Sequence, residues 1–156
     1  MKGAKSTNKL SFYLARMAAR GVTAEQVLAK TGLNAERIFS DAFRANPQQY
    51  RQVILNIIEL TGDPCIGIAI GAEFKISYLG VLGYAALSAA TLEQAREVFT
   101  KYHSLSEHIF TSTNHISDGR WFSEIRDTFM LGDVIRFAVE EFVSRTIELA
   151  SSITNK

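Results

Sequence analysis

Along most of this chain apolar residues return every three or four positions, the spacing of one face of an α-helix. From Lys9 to Arg20 the repeat runs through Leu10, Tyr13, Leu14, Met17 and Ala18, and Gly21 stops it. Thr23-Ala-Glu-Gln26 is a capping-box pattern, and Val27 and Leu28 follow it towards Gly32. Asn34 can cap a short third helix that has Leu33, Ile38 and Phe39 as apolar contacts. Asn46-Pro47 is a strong helix start, a capping side chain followed by proline in the first turn. Tyr50, Val53, Ile54, Ile57, Ile58 and Leu60 then form a broad apolar face that ends at Gly62. Asp63-Pro64 repeats the start device, and Ile66, Ile68, Ala69, Ile70 and Phe74 follow with few polar residues between them, which predicts a helix buried on most sides.

After a link at 75–78, the segment 79–90 reads as another buried helix. Thr91-Leu-Glu-Gln94 is a second capping box, and the helix after it sets Leu92, Ala95, Phe99, Tyr102, His103 and Ser106 on one side. The period then changes. The stretches 108–116 and 120–127 are rich in β-branched and aromatic residues and are separated by Ser117-Asp118-Gly119, a hairpin-turn signal. A two-stranded hairpin is marginal alone, so it must pack on the helices or pair with further strands. Finally, 131–151 predicts a long amphipathic helix with Leu131, Val134, Ile135, Ala138, Val139, Phe142, Val143, Thr146, Ile147 and Ala150 on a wide stripe. The pattern therefore predicts an α+β domain of about seven helices and one antiparallel hairpin near 108–127. Residues 1–8 read as a disordered N-terminus, and 9–156 as one domain.

Composition adds little to this picture. The chain has 156 residues, 47% apolar and 21% charged, as in an ordinary soluble globular domain. Its formal charge is +1 and no block of like charge stands out, so there is no electrostatic footprint for nucleic acid. The one cysteine, Cys65, excludes an intrachain disulfide and fits a cytoplasmic protein. A small buried hydrophobe is the plainer role for it, an activated thiolate the sharper one. No run approaches the 18 apolar residues of a membrane span.

Catalytic chemistry finds few carriers here. His103 and His108 are five apart, off the spacing of paired metal ligands on one helix face, and no Cys or acidic cluster joins them or His115. We expect no metal, no cofactor and no catalytic residue. Gly67, Gly71, Gly80 and Gly83 match neither a phosphate loop nor a dinucleotide turn, and close helix packing is the better account of them. The segment 22–39 has the outline of a helix-turn-helix, yet its second helix offers only Arg37 beside Glu36 and Asp41. The aromatic set Phe74, Tyr78, Tyr84, Phe99, Tyr102 and Trp121, with His103 and Arg126 as polar contacts, is the candidate ligand pocket. Ile135, Val139, Phe142 and Thr146 are the candidate dimer contact. These readings leave three functions open: a sensor, a protein–protein interaction module without a small-molecule ligand, and a small enzyme using His103 or His108 as a base.

Three segments in order then carry a resemblance: GVTAEQVLAKTGL, PQQYRQVILNIIELTGDPCIGIAIGAEF and LGVLGYAALSAATLEQAREVFTKYH. From about Val22 to Arg126 the chain resembles the N-terminal, arabinose-binding-like sensing domain of AraC-type transcriptional regulators. The resemblance implies a cytoplasmic, one-component regulator that is not an enzyme. It would be a homodimer that senses a small molecule of unknown class, and DNA would be bound only through a separate C-terminal helix-turn-helix domain. It also makes this chain an N-terminal fragment or a shortened stand-alone member.

Overall fold

A computed structural model describes residues 8–39, 43–102 and 109–154. Among them lie eight α-helices and one hairpin. The helices are α1 (Lys9–Ala18), α2 (Ala24–Val27), α3 (Ala35–Ile38), α4 (Pro47–Thr61), α5 (Ile66–Ala72), α6 (Val81–Leu87), α7 (Leu92–Lys101) and α8 (Ile135–Thr154). Strands β1 (Thr111–Ser117) and β2 (Arg120–Arg126) form the hairpin. The α+β reading holds, with eight helices where about seven were expected.

Capping chemistry sets most of the helix starts. Asn8 Oδ1 accepts from Ser11 N, which opens α1. Thr23 and Gln26 form a reciprocal capping box at α2, and Asn46 and Gln49 form another at α4, with Pro47 in its first turn. At α7 the box is altered: Thr91 caps Gln94 N, but the Gln94 side chain reaches back to Ala90 N. The Asp63-Pro64 start lies two residues earlier than the helix it announces. Asp63 Oδ1 accepts from Cys65 N in a local turn, and α5 begins at Ile66. The segment 75–78, read as a plain link, carries most of a 3₁₀ turn (Ile76–Leu79), and α6 follows it from Val81. Gly80 joins the two at φ 55° and ψ −130°, a conformation closed to residues with a Cβ.

The core gathers Leu10, Tyr13 and Met17 of α1, Tyr50, Ile54 and Ile57 of α4, Ile70 of α5 and Phe137 and Ala138 of α8. Asn56 is buried on α4 and donates to the carbonyls of Val27 and Ala29 at 2.8 and 2.7 Å. It thus satisfies the C-terminal end of α2 from inside the core. Helices α4 and α5 meet at 102°, and among the described residues no single helix is long and apolar enough to cross a membrane.

The expected helix from Leu131 begins with a 3₁₀ turn (Gly132–Val134) before α8 proper. The Asp127 carboxylate anchors that turn by accepting from Leu131 N and Gly132 N, both at 2.9 Å. Helix α8 lies against α5 at glycine distance. A Cβ on Gly67 would stand 2.7 Å from the Phe137 carbonyl oxygen, and one on Gly71 would stand 2.5 Å from that of Glu141. Ser144 Oγ donates across the same contact to the Ile68 carbonyl at 2.9 Å. Gly83 is likewise shut in by the Ile76 carbonyl. Close packing is therefore the role of Gly67, Gly71 and Gly83.

The hairpin starts at Thr111, later than the 108 expected, because Ile109 and Phe110 are buried in the core. Asp118 and Gly119 both have positive φ, 52° and 70°, as the two-residue turn between right-twisted strands requires.

Gly71→Ala should push α5 off α8 and cost about 2–3 kcal/mol, a Tm drop of about 5–10 °C in thermal unfolding. Ile68→Ala, at an exposed position of the same helix, should cost less than about 1 kcal/mol. Equal losses for the two would remove the packing role of the glycine.

Candidate functional site

The chemistry-bearing side chains converge where α1, the end of α5 and the middle of α8 meet. Lys9 and Glu141, 132 residues apart, form an ion pair at 2.7 Å with side chains only 5% and 1% exposed. Arg145, one turn further along α8, approaches the other Glu141 oxygen at 3.5 Å. Its guanidinium also lies 5.2 Å from the centre of the Phe74 ring and 5.8 Å from that of Phe142. Phe12, Phe74 and Tyr78 form a mutual cluster with ring centres 5.2–5.7 Å apart. The Arg16 guanidinium sits over Phe12 at 5.7 Å. Nearer the surface, Arg16 and Arg20 both pair with Glu73.

The arrangement alternates cation, carboxylate and aromatic ring from interior to surface. Among the described residues, four cations (Lys9, Arg16, Arg20, Arg145) and two carboxylates (Glu73, Glu141) meet here. Burial works against the ionised form of Glu73, but hydrogen bonds and charges from Arg20 and Arg16 outweigh it and hold the carboxyl below its ordinary range.

The aromatic set read from the sequence is only partly brought together. Phe74 and Tyr78 meet in the cluster. Tyr84 on α6 is exposed, Phe99 on α7 is half-buried, and Tyr102 is exposed just beyond α7, with Lys101 Nζ 5.3 Å from its ring centre. Trp121 and Arg126 sit on the open hairpin, where Arg126 pairs with Glu124 at 2.9 Å. His103 and His108, with Ser104 and Ser106, lie outside the described residues. His115 is on β1 and stacks on Phe122 with ring centres 5.2 Å apart. Among the described residues no group of three His, Cys, Asp or Glu could hold a metal ion. Cys65 is half-buried rather than a core residue, and its Sγ accepts from Arg136 at 3.1 Å.

Of the four α8 residues read as a dimer contact, Ile135 and Phe142 pack on the core, Phe142 edge-on to Phe110 at 5.2 Å. Val139 and Thr146 are half-buried, and the Thr146 hydroxyl is held by the Phe142 carbonyl at 2.7 Å. Val143 and Ile147 are the large apolar side chains that α8 leaves exposed. Sequence reasoning missed Lys9, Phe12, Arg16, Glu73, Glu141 and Arg145. A charged residue within a helical pattern reads as solvent-facing, and nothing local marks Glu141 as the partner of Lys9.

Comparison with known proteins decides the family. The model of the arabinose-binding domain of AraC transcription regulators, an N-terminal domain, matches residues 21–156. The chain belongs to this family. Members of this arabinose-binding-domain family are regulatory domains of transcription factors rather than enzymes. The chain is 27% identical over 138 residues to the ornithine utilization regulator of Pseudomonas aeruginosa, an alignment covering 80% of this chain and 40% of that protein. It is 26% identical over 135 residues to an uncharacterized HTH-type transcriptional regulator of Mycobacterium tuberculosis, covering 85% and 39%. A regulator of Mycobacterium bovis described in the same words matches equally. The chain thus spans about two fifths of the length of these curated relatives.

Lys9→Met should remove a buried cation paired with Glu141 and cost about 3 kcal/mol in urea unfolding. The pair Lys9→Met with Glu141→Leu should recover most of that loss. An additive double mutant would mean that the two charges are not coupled. Glu73 adds stability above the ordinary carboxylate range that is lost as pH falls through its lowered folded-state pKa. Glu73→Gln should accordingly flatten the acid limb of the stability–pH curve.

Proposed function

We propose that this chain is the effector-sensing part of an AraC-type transcriptional regulator. In this reading it is cytoplasmic, self-associates, and controls DNA binding by a separate C-terminal helix-turn-helix domain. The match of the sensing-domain family to residues 21–156 carries the reading. The effector is a small molecule with an anionic group, bound at the junction of α1, α5 and α8. Cations stacked on Phe12 and Phe74, with Tyr78 beside them, supply both halves of the recognition, rings for an apolar body and Arg145 or Arg16 for the anion.

Lys9 and Arg145 both hold Glu141. An anionic ligand competes with that carboxylate for its cations and so favours a different packing of α8 on α1. The shift is limited to the difference in ligand affinity between the two packings. Helix α8 then carries the change outward through Val139, Thr146 and the exposed Val143 and Ile147. A second reading, an interaction module with no small-molecule ligand, draws on the exposed apolar face of α6 at Val81, Tyr84 and Leu87.

A thermal-shift screen against fatty acids, aromatic acids, amino acids (ornithine among them) and sugars separates the two. A ligand at about 100 times its Kd adds roughly 2.7 kcal/mol, or about 5–10 °C in Tm. The sensing reading expects a saturable shift from an anionic class, and Arg145→Met and Tyr78→Ala should each reduce it relative to their own ligand-free Tm. No shift from any class would leave the interaction module. A shift that both variants leave intact would move the pocket elsewhere.

A further inference from the structure

The two strands of the hairpin are the whole of its sheet among the described residues, so each has an edge that no other described strand pairs. The edges differ in chemistry. β2 carries Arg120, Glu124 and Arg126, whereas β1, Thr-Ser-Thr-Asn-His-Ile-Ser, carries no carboxylate, lysine or arginine. Open edges are ordinarily guarded by charge, proline or a bulge. β1 has no proline, and it pairs residue for residue with β2 without a bulge.

The ladder dictates which groups are free. A two-residue turn makes Ser117 and Arg120 the first hydrogen-bonded pair, and alternation along an antiparallel ladder then aims the backbone N–H and C=O of Ser112, Asn114 and Ile116 away from β2. These three residues are spaced evenly about Asn114. Two copies of β1 laid antiparallel across a two-fold axis at Asn114 bring each outward-facing residue against another: Asn114 on Asn114, and Ser112 on Ile116. Thr113 then faces His115, Thr111 faces Ser117, and no like charges meet at neutral pH. The same operation on β2, about Ser123, sets Arg120 against Arg126 twice, which is destabilising.

Two further observations fit this register. The side-chain Oδ1 of Asn114 is buried and has no hydrogen-bond partner among the described residues. A second Asn114 amide on the axis can donate to it. Ile116 and Trp121, cross-strand neighbours near the turn, are 56% and 50% exposed. The pairing moves them alongside the covered base of the other hairpin, where Ile125 packs on the core.

We propose that the β1 edge is the self-association surface, two copies of this chain joining β1 to β1 about Asn114 into one four-stranded antiparallel sheet. The inference rests on the self-association part of the functional reading and is independent of the effector. It places the contact on the hairpin rather than on α8.

Sedimentation velocity on the whole chain tests it, together with oxidative crosslinking in a Cys65→Ser background. Asn114→Cys should trap a disulfide-linked dimer, because only an axis at this residue brings the two copies of it together. Asn114→Asp, nearly the same shape, sets two carboxylates face to face and should raise the dimer Kd at least about tenfold at pH 7. The carboxylate also lowers the monomer Tm, since the Asn114 side-chain oxygen is buried, so the Kd is compared where circular dichroism shows the fold intact, and the Asn114→Cys crosslink is read independently of it. Ile147→Glu on α8 should leave the Kd alone. A dimer that ignores Asn114→Asp but falls apart with Ile147→Glu, or an Ile147→Cys crosslink in place of one at Asn114→Cys, overturns the proposal while self-association stands. A wild-type chain that stays monomeric at millimolar concentration overturns both.

Discussion

With no side chain at Gly67 and Gly71, α5 approaches α8 until the space a Cβ would take is filled by the carbonyl oxygens of Phe137 and Glu141. The rest of the arrangement follows from that contact. It fixes the rotation of α8, so that Phe137, Ala138 and Glu141 turn inward. It also carries Phe74, just beyond the end of α5, to within reach of Arg145. Capping sets where most of the helices begin, but the absence of two methyl groups sets how α5 and α8 meet.

The inward turn of Glu141 has an electrostatic consequence. A buried carboxylate is costly unless paired, and α1 supplies the cation at Lys9 while α8 supplies a second at Arg145. Such a pair contributes little net stability against an apolar substitute, yet it penalises every packing that separates its members. It therefore works as a register mark between the first and last described helices.

The hairpin is bound to the body by its base and leaves its far end open. Ile109, Phe110 and Ile125 tie it to the core, while Ile116, Trp121 and Phe122 lie out in solvent. An isolated two-stranded ribbon gains little from its own ladder.

Local signals in the sequence determined a large share of this protein. Capping residues at Thr23, Asn34, Asn46 and Thr91, proline at 47, glycine after α1 and α4 and the Asp118-Gly119 turn act within a few residues, so helix and hairpin placement was legible. The segments that point to the AraC sensing family were legible for the same reason, since they consist of those turns and the small residues between them. The tertiary structure decided what local pattern cannot encode. Periodicity proposed a stripe on α8 through Ile135, Val139, Phe142 and Thr146, yet it could not say which flank faces inward, and it passed over Phe137 and Glu141. The aromatic residues were found, but convergence joined only Phe74 and Tyr78 and recruited Phe12, Arg16 and Arg145. A partner 132 residues away leaves no mark on either flank of Lys9. Such pairs exist only once close packing of α5 on α8 has set the rotation of a helix about its own axis.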